Sequence, residues 1–371
     1  MKRIFVLEYL SGGGLDGPGS GDADRELLAA GVAMRDAIVA DLLALDGVQV
    51  SVAEAPGTQA GAAGTPGTQA GHAGAPGTLA GHAGAPGARA GLAGAPDTPD
   101  TPDAPLPRAP TRVARAAGEP VEAFVRRLAR AHDASWIVAP ETGGVLARLR
   151  AAVGDAGWLG CEEDAIACAA SKSATLARLA ARGVATPLAF ADGHRGRWVV
   201  KPDDGAGTLA TRVHADRPRA EADLAARRAA GLCATIEPFV EGEALSASMI
   251  VGANLAAFTR IVAFNRQRIV ADADGWLRDD GVQAAAIDPQ VDPRAQALRG
   301  LAWEVADALP GLRGFVGIDL IWNEERGPVL IEVNPRVTTA YVGLSRRLGR
   351  NLAADVLRCA GGVEASHALA P

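Results

Sequence analysis

The sequence predicts an α/β protein with an N-terminal parallel-sheet domain and a C-terminal part of α+β type. In the C-terminal part, the apolar, β-branched runs 316–322 and 331–336 flank a short polar turn, which predicts an antiparallel hairpin. In the N-terminal part, apolar strand-like runs alternate with helical patterns, as is typical of parallel sheets. The predicted strands are 4–10, 48–52 and 135–139, and the predicted helices are 21–45 and 121–131.

Two features refine this organisation. In the first helix, apolar residues recur at helical spacing and predict a buried face. That face consists of Leu27, Leu28, Val32, Ile38 and Leu42. A decapeptide repeat that begins at Ala55 and restarts at Thr65, Ala75 and Ala85 interrupts the pattern. The predicted divisions are therefore 1–54 and 111–165 for the N-terminal domain, 55–110 for an insertion, 166–365 for the C-terminal part and 366–371 for a tail.

The repeat predicts a disordered expansion within a surface loop. Each copy contains proline and glycine, which interrupt helix and strand alike, and its apolar residues are almost all alanine. The entropy of ordering such a segment would exceed any gain from burial, whereas a long loop costs little to close. From the sequence we expect that deleting residues 56–108 barely changes activity.

Composition excludes several functional classes. The net charge of −6 in 371 residues gives no broad basic face for nucleic acid. No apolar run approaches the roughly 20 residues that span a bilayer, and 4–10 is too short for a signal peptide. Four cysteines without metal-ligand spacing predict reduced thiols. We expect a cytoplasmic protein without nucleic-acid or membrane partners, and the sequence leaves a homo-oligomer open.

The predicted hairpin carries a candidate metal site. Because side chains alternate along a strand, Glu332 and Asn334 should share one face while Ile331 and Val333 enter the core. If the two strands pair, Asp319 joins that face. Two carboxylates and an amide oxygen are hard ligands that suit Mg²⁺ together with phosphate oxygens. The alternative interpretation is a hairpin with a solvated polar face.

Lysine usage indicates a candidate phosphate site. Arginine supplies almost all the positive charge, and the only lysines are Lys2, Lys172 and Lys201. Lys201 ends an apolar run and precedes a loop that contains Gly205 and Gly207, where backbone N–H groups could approach an anion. Lys172 begins a helical pattern. A single lysine of this kind is more often an ordinary surface residue, but two of them beside glycine-containing or helix-starting segments favour the phosphate site.

These motifs, in this order, resemble the ATP-grasp enzymes over roughly residues 160–358. They are Lys172, the loop after Lys201, the segment 237–243, Asp319, and the segment 332–336 that ends at Arg336. The resemblance implies an ATP-grasp architecture, in which the nucleotide lies between two small sheets of paired ATP-binding subdomains. The chain contains no G-x-x-x-x-G-K-[ST] P-loop, which argues against the P-loop nucleotide folds.

The resemblance also implies roles for these residues. Two lysines and a glycine loop would hold the phosphates of ATP, and a hinge strand would bind adenine. An acidic residue would contact the ribose. Oxygen ligands would bind two Mg²⁺ ions, with Mn²⁺ as an alternative metal. The residues are Lys172, Lys201, Gly205 and Gly207 for phosphate; Glu237, Phe239 and Val240 for adenine; Glu243 for ribose; and Asp319, Glu332 and Asn334 for metal.

Shorter segments resemble the tyramine–glutamate ligases of methanofuran-type cofactor synthesis. They are 4–14, 139–142, 265–267 and 334–341. Ligands of parallel sheets gather at the carboxyl ends of the strands, so we expect acceptor substrates at such an edge. The candidate substrate residues are Glu8, Gly12, Gly13, Glu141, Arg266 and Thr338. For the glycines, the alternative is a tight strand-to-helix turn without a ligand.

The predicted function is an ATP-dependent carboxylate–amine ligase acting through an acyl phosphate. The substrates would be a small carboxylate and a small amine, and the favoured pair is the γ-carboxyl of L-glutamate and tyramine, with release of ADP and phosphate. Arg336 and Lys201 are the candidate catalytic residues, because charge neutralisation dominates phosphoryl transfer. The alternatives are an ATP-grasp ligase for another amino acid or amine and a non-catalytic nucleotide-binding protein.

Overall fold

The computed structural model describes residues 1–14, 22–55, 108–205, 207–255 and 259–361. The described residues within 1–55 and 109–361 belong to one compact unit. The predicted disordered insertion falls almost entirely on 56–107, and these residues, like the tail 366–371, lie outside the described part. Within the described residues, no helix combines the length and apolar character needed to cross a membrane.

The N-terminal domain contains a parallel sheet of four strands in the order β3-β2-β1-β4. The strands are β1 (Lys2–Glu8), β2 (Val48–Glu54), β3 (Thr111–Ala114) and β4 (Ala134–Val138), and the helices are α1 (Asp22–Leu43), α2 (Val121–Ala131) and α3 (Val145–Val153). Alternation divides β1 between two cores: Ile4 shares a cluster with α1, whereas Phe5 packs with α2. The predicted parallel sheet is confirmed.

Two details of the N-terminal domain differ from the sequence prediction. Strand β3 was missed, because its four residues lie at the sheet edge and carry no apolar pattern. The predicted burial of Leu27 and Leu28 is wrong, since they are 46% and 42% exposed, whereas Ile38 and Leu42 are fully buried. A helix of 22 residues is about 33 Å long and a seven-residue strand about 23 Å, so one end of α1 extends past the sheet.

The C-terminal part contains two antiparallel sheets. The small sheet has the order β6-β5-β7, with β5 (Trp198–Pro202), β6 (Arg212–His214) and β7 (Ala234–Pro238). The large sheet has the order β10-β9-β8-β11-β12, with β8 (Glu243–Val251), β9 (Arg260–Ala271), β10 (Leu277–Ile287), β11 (Gly314–Asn323) and β12 (Gly327–Asn334). The predicted hairpin is confirmed, because β11 and β12 pair as antiparallel neighbours.

Six further helices are described in the C-terminal part of the chain. They are α4 (Glu163–Ala169), α5 (Lys172–Ala181), α6 (Arg217–Ala229), α7 (Ala295–Ala308), α8 (Leu344–Leu348) and α9 (Leu352–Cys359). Helix α6 packs on the small sheet through Ala220 and Leu224, which share a cluster with Val200. Helix α7 packs on the large sheet through residues such as Leu298 and Val305.

The tip of the β9–β10 hairpin joins the large sheet to the small sheet. The N–H of Val213 donates to the carbonyl of Gly275 (2.8 Å), and the N–H of Leu277 donates to the carbonyl of Thr211 (2.9 Å). The N–H of Asp279 also donates to Thr208 Oγ1 (3.0 Å). These bonds close one side of the space between the two sheets.

A buried polar cluster joins the N-terminal domain to the segment that follows β12. Tyr341 donates its hydroxyl to Asp41 Oδ2 (2.7 Å), and Ser345 donates to the same carboxylate. The Tyr341 ring also contacts Trp136 and Phe315 edge to face, with centroids 6.1 and 5.2 Å away. This cluster fixes the course of residues 335–341 against both domains.

The connection between β2 and β3 changes the deletion that we expect the protein to tolerate. The two strands run parallel, with Ser51 opposite Thr111 and Glu54 opposite Ala114, and parallel strands need a crossover of about a dozen residues. We therefore expect deletion of 56–108 to detach β3, whereas a Gly/Ser linker of about 12 residues in place of 56–107 should preserve it. Thermal unfolding and ADP release report both variants. Loss of ADP release in a stably folded linker variant would show that the segment has a function.

Cys161 and Cys233 should differ strongly in thiol reactivity. Cys161 is fully buried and shares a polar contact with the backbone of Arg313, and burial raises the pKa of its thiol to about 12. At pH 8 its thiolate fraction would be about one in ten thousand. Cys233 is exposed. We expect a water-soluble aromatic disulfide to label Cys233 in the folded protein and Cys161 only after unfolding, as read by peptide mass. Equal labelling rates in the folded protein would contradict this expectation.

Candidate active site

A cavity of about 370 Å³ lies between the small and large sheets. Strand β5 lines it with alternate residues: Val199 and Lys201 face the cavity, whereas Val200 is buried against α6. Eight of the residues predicted to bind nucleotide or metal line this one cavity. They are Lys172, Lys201, Gly207, Glu237, Phe239, Val240, Asp319 and Glu332.

One end of the cavity is an apolar slot next to Phe239 and Val240. Side chains from both sheets form its walls, among them Val199, Ile269 and Ile331. The guanidinium of Arg197, which also lines the cavity, lies over the Phe239 ring, 4.1 Å from its centroid. A flat, uncharged ring system suits a slot of this kind.

The position of Ile331 corrects the sequence prediction. Ile331 was expected to enter the core, but it lines the cavity beside Glu332. The cause is a register shift: Asp319 pairs with Glu332, whereas the next residue, Leu320, pairs with Leu330. Ile331 is the extra residue of a β-bulge, which redirects its side chain. The prediction for Val333 is confirmed, since only 2% of that residue is exposed.

Lys201 and Glu237 form a buried ion pair on neighbouring strands. Lys201 Nζ donates to Glu237 Oε1 at 2.7 Å, and each side chain is 5% exposed. The second carboxylate oxygen, Glu237 Oε2, is buried and has no hydrogen-bond partner among the described residues. A buried acceptor without a partner is costly, so this oxygen is available to a donor from a ligand in the cavity.

Lys172 connects a carboxylate of the hairpin to the glycine loop. It is the first residue of α5, whose N-cap residue Ser171 accepts from the N–H of Ala174. Its Nζ lies 3.1 Å from Glu332 Oε1 and also donates to the carbonyl of Gly205. Gly205 thus contacts the lysine rather than the cavity, while Gly207, with φ of 63°, lines the cavity. The lysine therefore faces the space where phosphates would lie.

The three predicted metal ligands lie together on the β11–β12 hairpin; Asp319 and Glu332 line the cavity, and Asn334 lies behind the lining, in contact with Asp319. Asp319 and Glu332 are opposite each other in the β11–β12 register, and Asn334 Nδ2 donates to Asp319 Oδ2 at 2.9 Å. Gln267 Nε2 donates to the other oxygen, Asp319 Oδ1, at 2.8 Å. Burial and the charge of Glu332 raise the pKa of Asp319 to about 7, and burial also raises the pKa of Glu332. The two carboxylates therefore repel each other.

This donor set fits Mg²⁺. No group of three or more His, Cys, Asp or Glu side chains in the described ranges is arranged to enclose a metal ion. A cation here would have two carboxylates and one amide, and its remaining ligands would be phosphate oxygens and water, which is the arrangement that Mg²⁺ favours. A divalent cation would also relieve the repulsion between Asp319 and Glu332.

Arg336 lies beside this group and is held by Glu141 from the N-terminal domain. Arg336 Nε is 2.9 Å from Glu141 Oε1, and its Nη2 is 3.1 Å from Glu141 Oε2. The side chains are 12% and 5% exposed. The sequence predicted both residues separately, and the structure brings them into direct contact. The carboxylate of Glu141 is thus already occupied by a guanidinium.

The glycines after β1 form a tight turn, which supports the alternative that they bind no ligand. The carboxylate of Glu8 accepts the N–H groups of Leu10 (3.1 Å) and Ser11 (2.8 Å) and so closes the turn. A Cβ on Gly12 would lie 2.5 Å from Leu7 Cδ1, and Gly13 has a φ of 81°. Both glycines are required by the turn itself, and none of these residues lines the cavity.

Three other candidates lie outside the cavity lining. Glu243, expected at the ribose, is held between Arg266 and Arg294, and Arg266 is occupied by the same pair. Thr338 packs over Gly317, where an added Cβ would approach its Cγ2 to 2.6 Å. The expected ligand contacts of these residues therefore have no geometric support.

Next to two of these candidates, residues that were not assigned a role line the cavity. They are Gly242, at which a Cβ would lie 2.0 Å from the carbonyl oxygen of Trp322, and Gln267. Alternation along β9 could have shown that Arg266 and Gln267 face opposite ways. It could not have shown which of them faces the cavity.

Comparisons with known proteins agree with this geometry. A family model described as an ATP-grasp domain matches residues 169–340, and one described as a pre ATP-grasp 3 domain matches residues 98–166. A solved structure of a putative ATP-grasp superfamily protein from Archaeoglobus fulgidus is similar with a TM-score of 0.60 at 19% identity. That match covers 99% of this chain and 90% of the other.

Two curated relatives are tyramine–L-glutamate ligases of Methanocaldococcus species. The protein of M. jannaschii is 28% identical over 215 residues, which cover 57% of this chain and 58% of the relative. The protein of M. fervens is 34% identical over 110 residues, which cover 29% of this chain and 32% of the relative. The matches thus span less than two thirds of either relative. The family models therefore identify an ATP-grasp domain at residues 169–340, preceded by a pre ATP-grasp domain, and the solved structure agrees in fold.

Proposed function

We propose that the protein is an ATP-dependent carboxylate–amine ligase that acts through an acyl phosphate. The observation that carries the proposal is the convergence of Asp319 and Glu332 with Lys172 and Lys201 on one cavity. The favoured substrates are the γ-carboxyl of L-glutamate and the amine of tyramine, because the curated relatives are named for this pair. The products would be γ-glutamyltyramine, ADP and phosphate.

The cavity suits ATP along its whole length. The apolar slot at Phe239 and Val240 would hold adenine, and the partnerless Glu237 Oε2 would accept a hydrogen bond from its amino group. Lys201 and Lys172 would neutralise the phosphates, and backbone groups around Gly207 would cover them. Guanine has a keto oxygen in place of the adenine amino group, and this oxygen would face the acceptor Glu237 Oε2 without a hydrogen bond. ATP should therefore be preferred over GTP.

The metal end of the cavity suits Mg²⁺ held by Asp319, Glu332 and Asn334. A Mg²⁺ ion held there would supply positive charge opposite the charge that develops on the phosphates. By the resemblance to ATP-grasp enzymes, the site would hold two Mg²⁺ ions, and Mn²⁺ could replace Mg²⁺. Lys172 contacts Glu332 and would hold this carboxylate in position for the cation.

The residues beside the cation would assist acyl transfer by position and charge. A free carboxylate does not acylate an amine at a useful rate, because the leaving group would be oxide. After the γ-phosphoryl group is transferred to the carboxylate, the amine attacks the carbonyl carbon and phosphate leaves. Arg336 would stabilise negative charge in both steps, since a guanidinium stays protonated and binds oxyanions in a planar arrangement. The acceptor substrates would approach from the carboxyl edge of the N-terminal sheet, where Glu8 and Glu141 lie.

The test is substrate-dependent ADP release from the full-length protein with Mg²⁺. We expect ADP only when L-glutamate and tyramine are both present, together with a product of γ-glutamyltyramine mass. ADP release with another pair from a panel of amino acids and amines would instead identify a different ATP-grasp ligase. Binding of ATP without ADP release for any pair would overturn the ligase assignment and favour a nucleotide-binding protein.

A further inference from the structure

Glu141 reaches the candidate metal site from the N-terminal domain, directly after β4 and a two-residue link. Its carboxylate makes three contacts of 2.9–3.1 Å with the Nε and Nη2 atoms of Arg336. The pair is buried, so the contacts are little screened by water. A two-pronged contact of this type fixes the plane as well as the place of the guanidinium.

The other groups around Arg336 belong to the metal site. Arg336 Nη2 is 3.4 Å from Asn334 Oδ1, and Asn334 in turn donates to Asp319. Burial alone lowers the pKa of Arg336, but the charges of Glu141, Glu332 and Asp319 raise it above its ordinary value. Arg336 therefore lies within the field of both candidate metal carboxylates while its direct ion pair is with Glu141.

We propose that Glu141 is a positioning residue that keeps the Arg336 guanidinium off Asp319 and Glu332, so that these carboxylates remain free for Mg²⁺. The inference deepens the proposed function and depends on its metal site. An arginine stays charged and seeks an oxyanion partner wherever it is buried. If Glu141 becomes neutral, the other carboxylates whose charges act on Arg336 are those of Asp319 and Glu332. Arginine then competes with the cation for them.

The test measures Mg²⁺ binding to the full-length protein by titration calorimetry in the presence of ADP. In Glu141→Gln, the Mg²⁺ concentration for half-saturation should rise about 10–100-fold, the usual cost of removing a group that orients metal ligands. In an Arg336→Gln background, the same Glu141→Gln change should leave the Mg²⁺ affinity unchanged, because no guanidinium remains to compete. A residue with a merely structural role would not give this dependence on Arg336.

Glu54→Gln is the matched control. Glu54 is a buried glutamate that ends β2 in the same sheet and pairs with Arg112, so its neutralisation should leave Mg²⁺ binding unchanged. Glu141→Asp keeps the charge at a shorter reach and should give a smaller loss of Mg²⁺ affinity. It serves as the test variant if Glu141→Gln lowers the folded fraction.

Unchanged Mg²⁺ affinity in both Glu141 variants would overturn the inference. An equal loss with and without Arg336 would overturn it as well, since Glu141 would then act on the cation directly. The binding measurement needs no acceptor substrate, so its result is separate from that of the ligase assay. If the protein binds Mg²⁺ in the presence of ADP but forms no ADP from ATP, the ligase proposal fails. The Mg²⁺ titrations of the variants still test the role of Glu141. If the wild-type protein bound neither ADP nor Mg²⁺, both proposals would be overturned.

Discussion

Asp319→Asn should lower ADP formation by about 10²–10³-fold or more, and Glu332→Gln should have a similar effect. Each variant keeps the size of the side chain but removes one of two carboxylates that face each other across β11 and β12. Without that charge, the phosphates of ATP would lose a cation at the site of transfer. The measurement is a coupled ADP assay at saturating ATP over a range of Mg²⁺. The alanine variants should abolish turnover.

Stability separates this effect from a loss of fold. Burial and the charge of Glu332 disfavour the ionised form of Asp319 in the metal-free protein, so Asp319→Asn should not melt at a lower temperature than wild type in EDTA. Glu332→Gln leaves the buried Lys172 without its carboxylate partner and should melt lower, so its turnover is measured at a temperature where it stays folded. Asp280→Asn is the control, because Asp280 is exposed on β10 and pairs with Arg268 outside the cavity. Turnover near the wild-type rate in Asp319→Asn or Glu332→Gln would remove the basis for placing the metal here.

The sequence was sufficient where local periodicity and tertiary packing agree. The strand and helix alternation of the N-terminal domain predicted a parallel sheet, and the confirmed hairpin placed Asp319 opposite Glu332. The first conclusion depends on the order of the elements, and the second on side-chain alternation, which every residue of a strand repeats. The rarity of lysine was a further useful signal, since Lys172 and Lys201 line the same cavity.

The sequence was insufficient where one residue changes the register or an element ends beyond its partner. The bulge at Ile331 depends on how β12 pairs with β11, and its own segment reads as a regular strand. Leu27 and Leu28 have correct helical spacing, but only the fold shows where the sheet beneath α1 ends. The spacing of apolar residues shows which face of a helix is buried. It does not show how far the sheet beneath that helix extends.

Contacts between distant segments were also beyond the sequence. Glu141 and Arg336 are 195 residues apart and were assigned different roles, Glu141 in substrate binding and Arg336 in catalysis, yet they form one ion pair. Glu243 follows the hinge as an expected ribose ligand would, but two arginines from β9 and the start of α7 occupy it. A motif shows which functional groups are present. Whether they are free to bind a ligand depends on ion-pair partners that are distant in the sequence.

Lys201→Met should reduce both stability and nucleotide affinity, and the two losses can be separated. Lys201 and Glu237 are a buried pair, so removal of the lysine leaves an uncompensated carboxylate and should lower the free energy of unfolding by about 3–5 kcal/mol. Loss of one charge-assisted contact to phosphate should weaken ADP binding about 10–100-fold. Adenosine, which carries no phosphate, should lose little affinity. Urea unfolding and calorimetric titration with ADP and adenosine measure these effects.

The double variant Lys201→Met/Glu237→Gln decides whether Lys201 serves the nucleotide or only its partner. A neutral amide at 237 removes the unpaired charge and keeps an acceptor oxygen in the cavity, so much of the lost stability should return. The ADP affinity should stay low, because the cation that faces the phosphates is still absent. If ADP affinity recovered together with stability, Lys201 would be a structural partner of Glu237, and the phosphate assignment would have to rest on Lys172 alone.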